Sequence, residues 1–183
     1  MVEKRWNEGR VFDLEDFYYL PKEITQLTIG CETCNATEVN KELNTYYKSI
    51  KSAPNTWNNS LFDVSIFQEL ESIDLEDSCL RRINGFTVSG LRKLKKLSVG
   101  SNCCCICETT PTTARAVTLR ISDCGCLESI VIGPKSFSDW GRLYIGSEDE
   151  NGWLWLDLPQ LTELKMGAEC FNRCYDAVFE SNE

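Results

Sequence analysis

The chain contains no histidine. Ser–His and Cys–His pairs are therefore excluded, because a weak nucleophile needs a base beside it. The Gly-x-Ser-x-Gly elbow, the phosphate-binding loop and the dinucleotide-binding glycine fingerprint are missing as well. No run approaches the ~20 apolar residues of a membrane-crossing helix, so no such span is expected. Met1 to Arg10 is polar and charged and lacks the apolar centre of a secretory signal. Basic residues are the minority: 19 Lys and Arg against 28 Asp and Glu give a net charge of −9. Such a surface repels phosphate backbones and makes nucleic acid a poor partner.

What remains suits one globular domain. A chain of 183 residues is long enough for one well-buried core and too short for two ordinary ones. Hydrophobic residues at 42% and charged residues at 26% exclude a wholly disordered chain. The eleven cysteines leave at least one thiol unpaired within a monomer. With no leader, the expectation is an intracellular, reducing compartment and free thiols. Two sequons, Asn35-Ala36-Thr37 and Asn58-Asn59-Ser60, would permit glycosylation were the chain secreted.

Five stretches share one grammar: Ile24 to Gly30, Leu70 to Glu76, Leu94 to Gly100, Leu127 to Gly133 and Leu161 to Gly167. Each reads apolar-x-x-apolar-x-apolar-Gly, with Glu76 in one glycine position. The anchors are spaced by 46, 24, 33 and 34 residues. The first gap is about twice the shortest, which predicts a hidden unit at Tyr47-Lys-Ser-Ile50. Columns outside the anchors repeat too. Cys34, Trp57, Leu80, Cys104, Phe137 and Phe171 share one offset; Phe67, Leu91, Cys124 and Leu158 share another. Phe62 and Val64 match Phe86 and Val88, then Leu119 and Ile121.

Alternating apolar residues put two side chains of each unit on one face of a short strand. A unit of this size cannot bury that face alone, so units stack and share a core. The glycine after each strand is expected at a tight left-handed turn, where a Cβ is disfavoured. The Phe-x-Val pair predicts a second row of short strands. Ile73, Leu75, Leu97, Val99, Ile130, Ile132, Leu164 and Met166 are expected to form one continuous buried row.

This block resembles divergent leucine-rich repeats, of the irregular kind in which an isoleucine–glycine strand precedes a Cys-Phe step, as in Met166-Gly-Ala-Glu-Cys-Phe171. Repeat proteins of bacterial surfaces and protists look similar. The resemblance covers roughly residues 17–174 and departs from the common pattern in lacking the asparagine after the strand. It implies a recognition scaffold and no particular ligand. The expected fold is mainly β: a repeat solenoid of about six leucine-rich-type coils with short parallel strands and few or no regular helices. Residues 1–16 read as an N-terminal segment or imperfect cap and 17–183 as the solenoid, with hairpin insertions near 105–118 and 140–158. No polar capping unit follows Ala177-Val-Phe179, as expected of a piece of a longer array.

The first insertion carries Glu108-Thr-Thr-Pro-Thr-Thr113 and the second Ser147-Glu-Asp-Glu-Asn-Gly152, both turn-rich and polar. Two alignments of the second stay open. In one, Arg142–Ile145 pairs with Trp153–Leu156 as a hairpin, leaving Trp153 and Trp155 together on a protruding arm. In the other, the two tryptophans fill the Phe-x-Val columns; large aromatics are more often core than site, which favours this alignment.

Cys31-x-x-Cys34 and Cys104-x-x-Cys107 have the spacing of zinc thiolates. Against that, Cys34 and Cys104 share a column with Leu80 and Phe137, and Cys124 stands where other units have Leu or Phe. Cysteine buries readily as a small hydrophobe. Cys34, Cys79, Cys104, Cys124 and Cys170 are therefore expected to be buried, with Cys105, Cys107 or Cys126 labelling first, and no metal or other cofactor is assigned. Asp74 and Glu76, the acidic Glu148–Glu150 tip and the basic run Arg92–Lys96 read as solvated charge rather than acid–base or anion sites. The function expected is a non-enzymatic protein-interaction scaffold, whose partner is another protein or further repeats of the same array. Its binding face would be the outward strand positions Gln26, Thr28, Ser72, Asp74, Lys96, Ser98, Ser129, Val131, Glu163 and Lys165, with Trp153 and Trp155 as a hot spot on the hairpin alignment. The alternatives are a cysteine-based zinc or redox module, or a partial repeat chain with no function of its own.

Overall fold

The computed structural model describes residues 8–11, 20–31, 61–81, 83, 85–105, 118–148, 154–155 and 158–179. Thirteen strands follow in chain order: β1 (Glu8–Val11), β2 (Gln26–Ile29), β3 (Leu61–Asp63), β4 (Ser72–Leu75), β5 (Gly85–Ser89), β6 (Lys96–Val99) and β7 (Thr118–Ser122). After them come β8 (Ser129–Ile132), β9 (Arg142–Ile145), β10 (Ser147–Glu148), β11 (Leu154–Trp155), β12 (Glu163–Met166) and β13 (Asp176–Phe179). No helix occurs among the described residues. Six strands form sheet A in the order β1-β2-β4-β6-β8-β12, and five form sheet B in the order β13-β9-β7-β5-β3. All pairs within these two sheets are parallel.

From β3 onward the chain alternates between the sheets, so each circuit adds one strand to each. The register reproduces the spacing of the sequence. Ile73 pairs with Leu97, Leu97 with Ile130, and Ile130 with Leu164. Strand alternation sends Ile73, Leu75, Leu97, Val99, Ile130 and Ile132 inward, each at most 3% exposed. From sheet B, Phe62, Phe86, Val88, Leu119, Ile121, Leu143 and Ile145 meet them in one core.

Some expectations are corrected. The row does not stay buried to its end: Leu164 is 40% and Met166 37% exposed, because among the described residues β12 is an edge strand of sheet A with a neighbour on one side only. The Tyr47–Ile50 unit lies outside the described residues; among those described, β2 pairs directly with β4, and the sixth strand of sheet A is β1, beside β2.

The second insertion differs from both alignments. Arg142–Ile145 is a sheet B strand, with Leu143 and Ile145 in register with Leu119 and Ile121. That fills the Phe-x-Val columns of this circuit with Leu143 and Ile145. A hairpin does form, but between β10 and β11: Ser147 pairs with Trp155 and Glu148 with Leu154. Thus the first insertion interrupts a sheet A to sheet B connection, between β6 and β7, while the second interrupts the return, between β9 and β12.

The corner after each sheet A strand has its own repeating geometry. Ser78, Asn102, Lys135 and Glu169 have φ of 60, 56, 61 and 63°; Leu80, Cys104, Phe137 and Phe171 have φ of 53, 54, 54 and 50°. Left-handed backbone costs a non-glycine residue roughly 1–2 kcal/mol, so these eight persist because their surroundings fix them. The first set donates N–H groups forward: Ser78 to Ser101 O at 2.8 Å, Asn102 to Pro134 O at 3.0 Å, Lys135 to Ala168 O at 2.9 Å. The second set donates backward: Cys104 to Cys79 O and Phe137 to Cys103 O, both at 3.0 Å.

The glycines before the corner serve a different purpose from the one expected. Gly100, Gly133 and Gly167 are not in the left-handed region. A Cβ on Gly133 would sit 2.6 Å from the Gly100 carbonyl carbon, and one on Gly167 would sit 2.5 Å from the Pro134 nitrogen. Absence of a side chain here permits the close approach of successive circuits.

After the sheet A strands, thiol and hydroxyl donors form a ladder. The Cys103 thiol donates to Glu76 O at 2.9 Å, the Ser136 hydroxyl to Gly100 O at 2.7 Å, and the Cys170 thiol to Gly133 O at 3.0 Å. Ser136 Oγ also accepts from the Cys103 N–H at 3.0 Å.

Two stability measurements follow. Leu97→Ala removes a fully buried side chain and should lower the urea-unfolding free energy by ~2–5 kcal/mol. Ser136→Ala strips a buried N–H and a carbonyl of their partner and should lose about 1–3 kcal/mol. Ser136→Cys should recover most of that loss, because Cys103 and Cys170 make the same contact.

Candidate interaction faces

The outward positions of sheet A line up as two ladders. Gln26, Ser72, Lys96, Ser129 and Glu163 form one; Thr28, Asp74, Ser98, Val131 and Lys165 form the other. Thus the structure brings every residue of the expected strand face onto one surface. Asp74, Lys96 and Lys165 are exposed there, and Ser72, Ser98, Ser129, Val131 and Glu163 are half-buried. The Ser129 hydroxyl donates to Glu163 at 2.6 Å, and Lys165 pairs with the same carboxylate at 2.5 Å. These contacts hold the Glu163 carboxyl below its ordinary range, with the Lys165 bond the largest cause. The face carries short polar and charged groups and no aromatic ring.

Beside sheet A the basic run is matched by acids one circuit earlier. Lys93 pairs with Glu69, and Lys95 with Glu71 at 3.1 Å. All four side chains are about half-exposed, so each pair adds little to stability.

The outer face of sheet B is chemically different. Arg120 lies over the Tyr144 ring at 5.8 Å, and the Tyr144 hydroxyl donates to Asp176 at 2.8 Å. Arg142 lies over the Tyr175 ring at 5.7 Å and donates from Nε to the Tyr175 hydroxyl at 2.8 Å. Two arginines, two tyrosines and one carboxylate therefore form a neighbouring set on β7, β9 and the start of β13. Each cation–ring contact holds the flat groups in fixed orientation and contributes ~0.5–1 kcal/mol at an exposed site. Sequence reasoning missed this set. Its signal is the middle residue of each Phe-x-Val-type triplet: Arg120 between Leu119 and Ile121, and Tyr144 between Leu143 and Ile145. Assigning Arg142–Ile145 to the hairpin hid the second triplet.

Of the tryptophan pair, Trp153 lies outside the described residues and Trp155 belongs to β11. Trp140 is fully buried and packs edge-on against Phe137 with ring centroids 4.8 Å apart. Phe137 in turn stacks on Phe171 at 5.1 Å.

The thiols divide by depth. Cys79, Cys103, Cys104 and Cys124 are buried; Cys31 and Cys126 are exposed; Cys105, Cys170 and Cys174 are intermediate. Cys170 is thus less covered than its column predicts, because no further described strand lies over the β12–β13 circuit. Cys105 is less open than expected: its thiol donates to Lys135 O at 2.9 Å. Burial also holds the Cys105 thiol above its ordinary pKa. Cys104 is pushed further up by complete burial between Leu80 and Phe137. The Cys79 and Cys103 sulfurs lie 3.8 Å apart in neighbouring circuits, and that contact holds the Cys103 thiol lower. Cys34 and Cys107, the second members of the two zinc-spaced pairs, lie outside the described residues. Among the described residues no group of three or more Cys, Asp or Glu side chains is placed to hold a metal ion. Nor is any helix among them long and apolar enough to cross a membrane.

Comparison of the chain with protein families, with curated proteins and with solved structures finds no match.

Alkylation of the folded chain near neutral pH, read by mass spectrometry, should mark Cys31 and Cys126 first and leave Cys79, Cys103, Cys104 and Cys124 unmodified longest. Cys105 should lag behind Cys126. Its raised pKa keeps it protonated as pH climbs through the ordinary thiol range, so its rate should rise only at higher pH. Equal rates at Cys104 and Cys126 would contradict the placement of Cys104 in the core.

Proposed function

We propose that this chain is a leucine-rich-repeat-type solenoid that works without catalysis, as a scaffold holding another protein on an outer sheet face. The observation that carries the reading is the arginine–tyrosine set of Arg120, Arg142, Tyr144 and Tyr175 on sheet B. Arginine and tyrosine supply much of the binding energy at protein interfaces, being large, amphipathic and costly to replace by water. The matching registers of the two sheets support the repeat reading, since each circuit presents its outward residues at the same height. Sheet A is the second candidate face, with shorter and more polar side chains. The thiol-based alternative is disfavoured by Cys104, whose sulfur lies inside the apolar core.

Photo-crosslinking tests this directly. A benzophenone side chain placed at Thr87 or Thr118, beside the sheet B set, should form a discrete adduct in extract of the source cells. One placed at Asp74 on sheet A should not. Arg120→Ala combined with Tyr144→Ala should cut the Thr87 adduct by about tenfold or more, the loss expected when a hot-spot pair is truncated. Adducts from Asp74 alone would move the binding face to sheet A, and adducts from neither face would remove the scaffold reading.

A further inference from the structure

The exposed large hydrophobic side chains among the described residues are Leu164, Met166, Tyr175 and Phe179. All four belong to the last circuit. One circuit earlier, the equivalents of Leu164, Met166 and Phe179 are Ile130, Ile132 and Ile145, each at most 2% exposed. What differs is cover. Among the described residues β12 and β13 are edge strands, and each offers one row of N–H and C=O groups that no described strand pairs, beside its uncovered apolar residues. Such an edge is a template for another strand.

We propose that this end is an interface between two copies of the chain, formed by antiparallel pairing of β12 with β12 about a two-fold axis centred on Leu164. The axis runs perpendicular to the sheets, so inward residues of one copy meet inward residues of the other. Parity then leaves three registers that pair the strands over most of their length. Centring on Glu163 sets two carboxylates opposite each other. Centring on Lys165 opposes two ammonium groups. Centring on Leu164 places Glu163 of each copy against Lys165 of its partner, twice, and Leu164 against Leu164. Opposite charges directly across an antiparallel pair stabilise it and like charges destabilise it. Glu163 and Lys165 already pair within one strand, so both are held on the outward face in position to exchange. The same axis sets the two β13 edges side by side and covers Phe179.

A head-to-tail stack is the rival arrangement. Continuing the sheet A register would set β12 against β1 of another copy, an arrangement that does not bring Glu163 against Lys165. The closed two-fold contact also ends in a dimer, whereas head-to-tail stacking runs on as a filament.

Sedimentation of the 183-residue chain against concentration tests the proposal, with thermal melts confirming that each variant folds. The parent chain should reach a dimer and stop there. Glu163→Lys alone and Lys165→Glu alone should each weaken association by about tenfold or more, since each creates two like-charge pairs. The double exchange Glu163→Lys with Lys165→Glu should restore it, because opposite charges then face each other again with their positions swapped. A chain that stays monomeric would overturn the proposal. So would assembly that runs past a dimer, as expected for head-to-tail stacking, or dimerisation indifferent to all three variants.

Discussion

Close approach of successive circuits at the corner after each sheet A strand is the constraint on which the architecture rests. Parallel neighbours elsewhere are held by the ordinary spacing of strands. At the corner, backbone meets backbone with no room for a Cβ at Gly133 or Gly167. The left-handed residues that follow are unfavourable singly, and they are held by N–H groups sent alternately to the next circuit and the previous one. Because each such bond crosses between circuits, no circuit closes properly without its neighbour. Tight corner, left-handed backbone and thiol–hydroxyl ladder are one device, and they set the height at which each strand of sheet A must lie. The sheets' register follows from it.

This explains which parts of the sequence carried readable information. The apolar columns were legible because inward residues of a parallel stack have the same environment in every circuit: Ile73, Leu97 and Ile130 differ little in what surrounds them. The second strand row was legible from Phe86 and Val88 for the same reason. The purpose of the glycines was not. A recurring need for no side chain looks the same in sequence whether it serves a left-handed turn or a close approach, and here non-glycine residues such as Asn102 and Lys135 take the left-handed positions. The cysteines misled in a similar way. Cys103, Ser136 and Cys170 share a column because each donates a proton to a carbonyl of the circuit before, a pattern visible only once thiol and hydroxyl are read as equivalent donors. The unit expected near Tyr47, from a gap of 46 residues read as two repeats, lies outside the described residues. As for the candidate faces, the sheet A ladders were legible from alternation alone. The sheet B set stayed hidden because Tyr144 sits beside an insertion, where a 34-residue spacing can be divided in more than one place.

Variation and constancy are separated in space. Inward columns and the corner admit few residue types, while outward columns admit Asp74, Ser98, Val131 and Lys165 in succession. The two insertions extend this freedom to the joints. In chain order one falls at the passage from sheet A to sheet B and the other at the return, and the described strands on either side of each stay in register. The described core therefore fixes a frame, and the chemistry of either face can change without repacking it.

The direct pairing of β2 with β4 has a consequence for cooperativity. In a stack whose circuits touch only their neighbours, stability resembles a one-dimensional chain of coupled units rather than a single two-state block. The coupling at each joint is the strand pairing less the entropy of closing the connection. Joining Ile29 to Leu75 closes a connection about twice as long as joining Leu75 to Val99, for a strand pair of the same length. Each doubling of a loop adds roughly 0.6 kcal/mol to its closure, so on chain entropy this joint is the weakest in sheet A. The β2–β4 joint is then where opening of sheet A is expected first, with β1 and β2 separating together from the strands that follow.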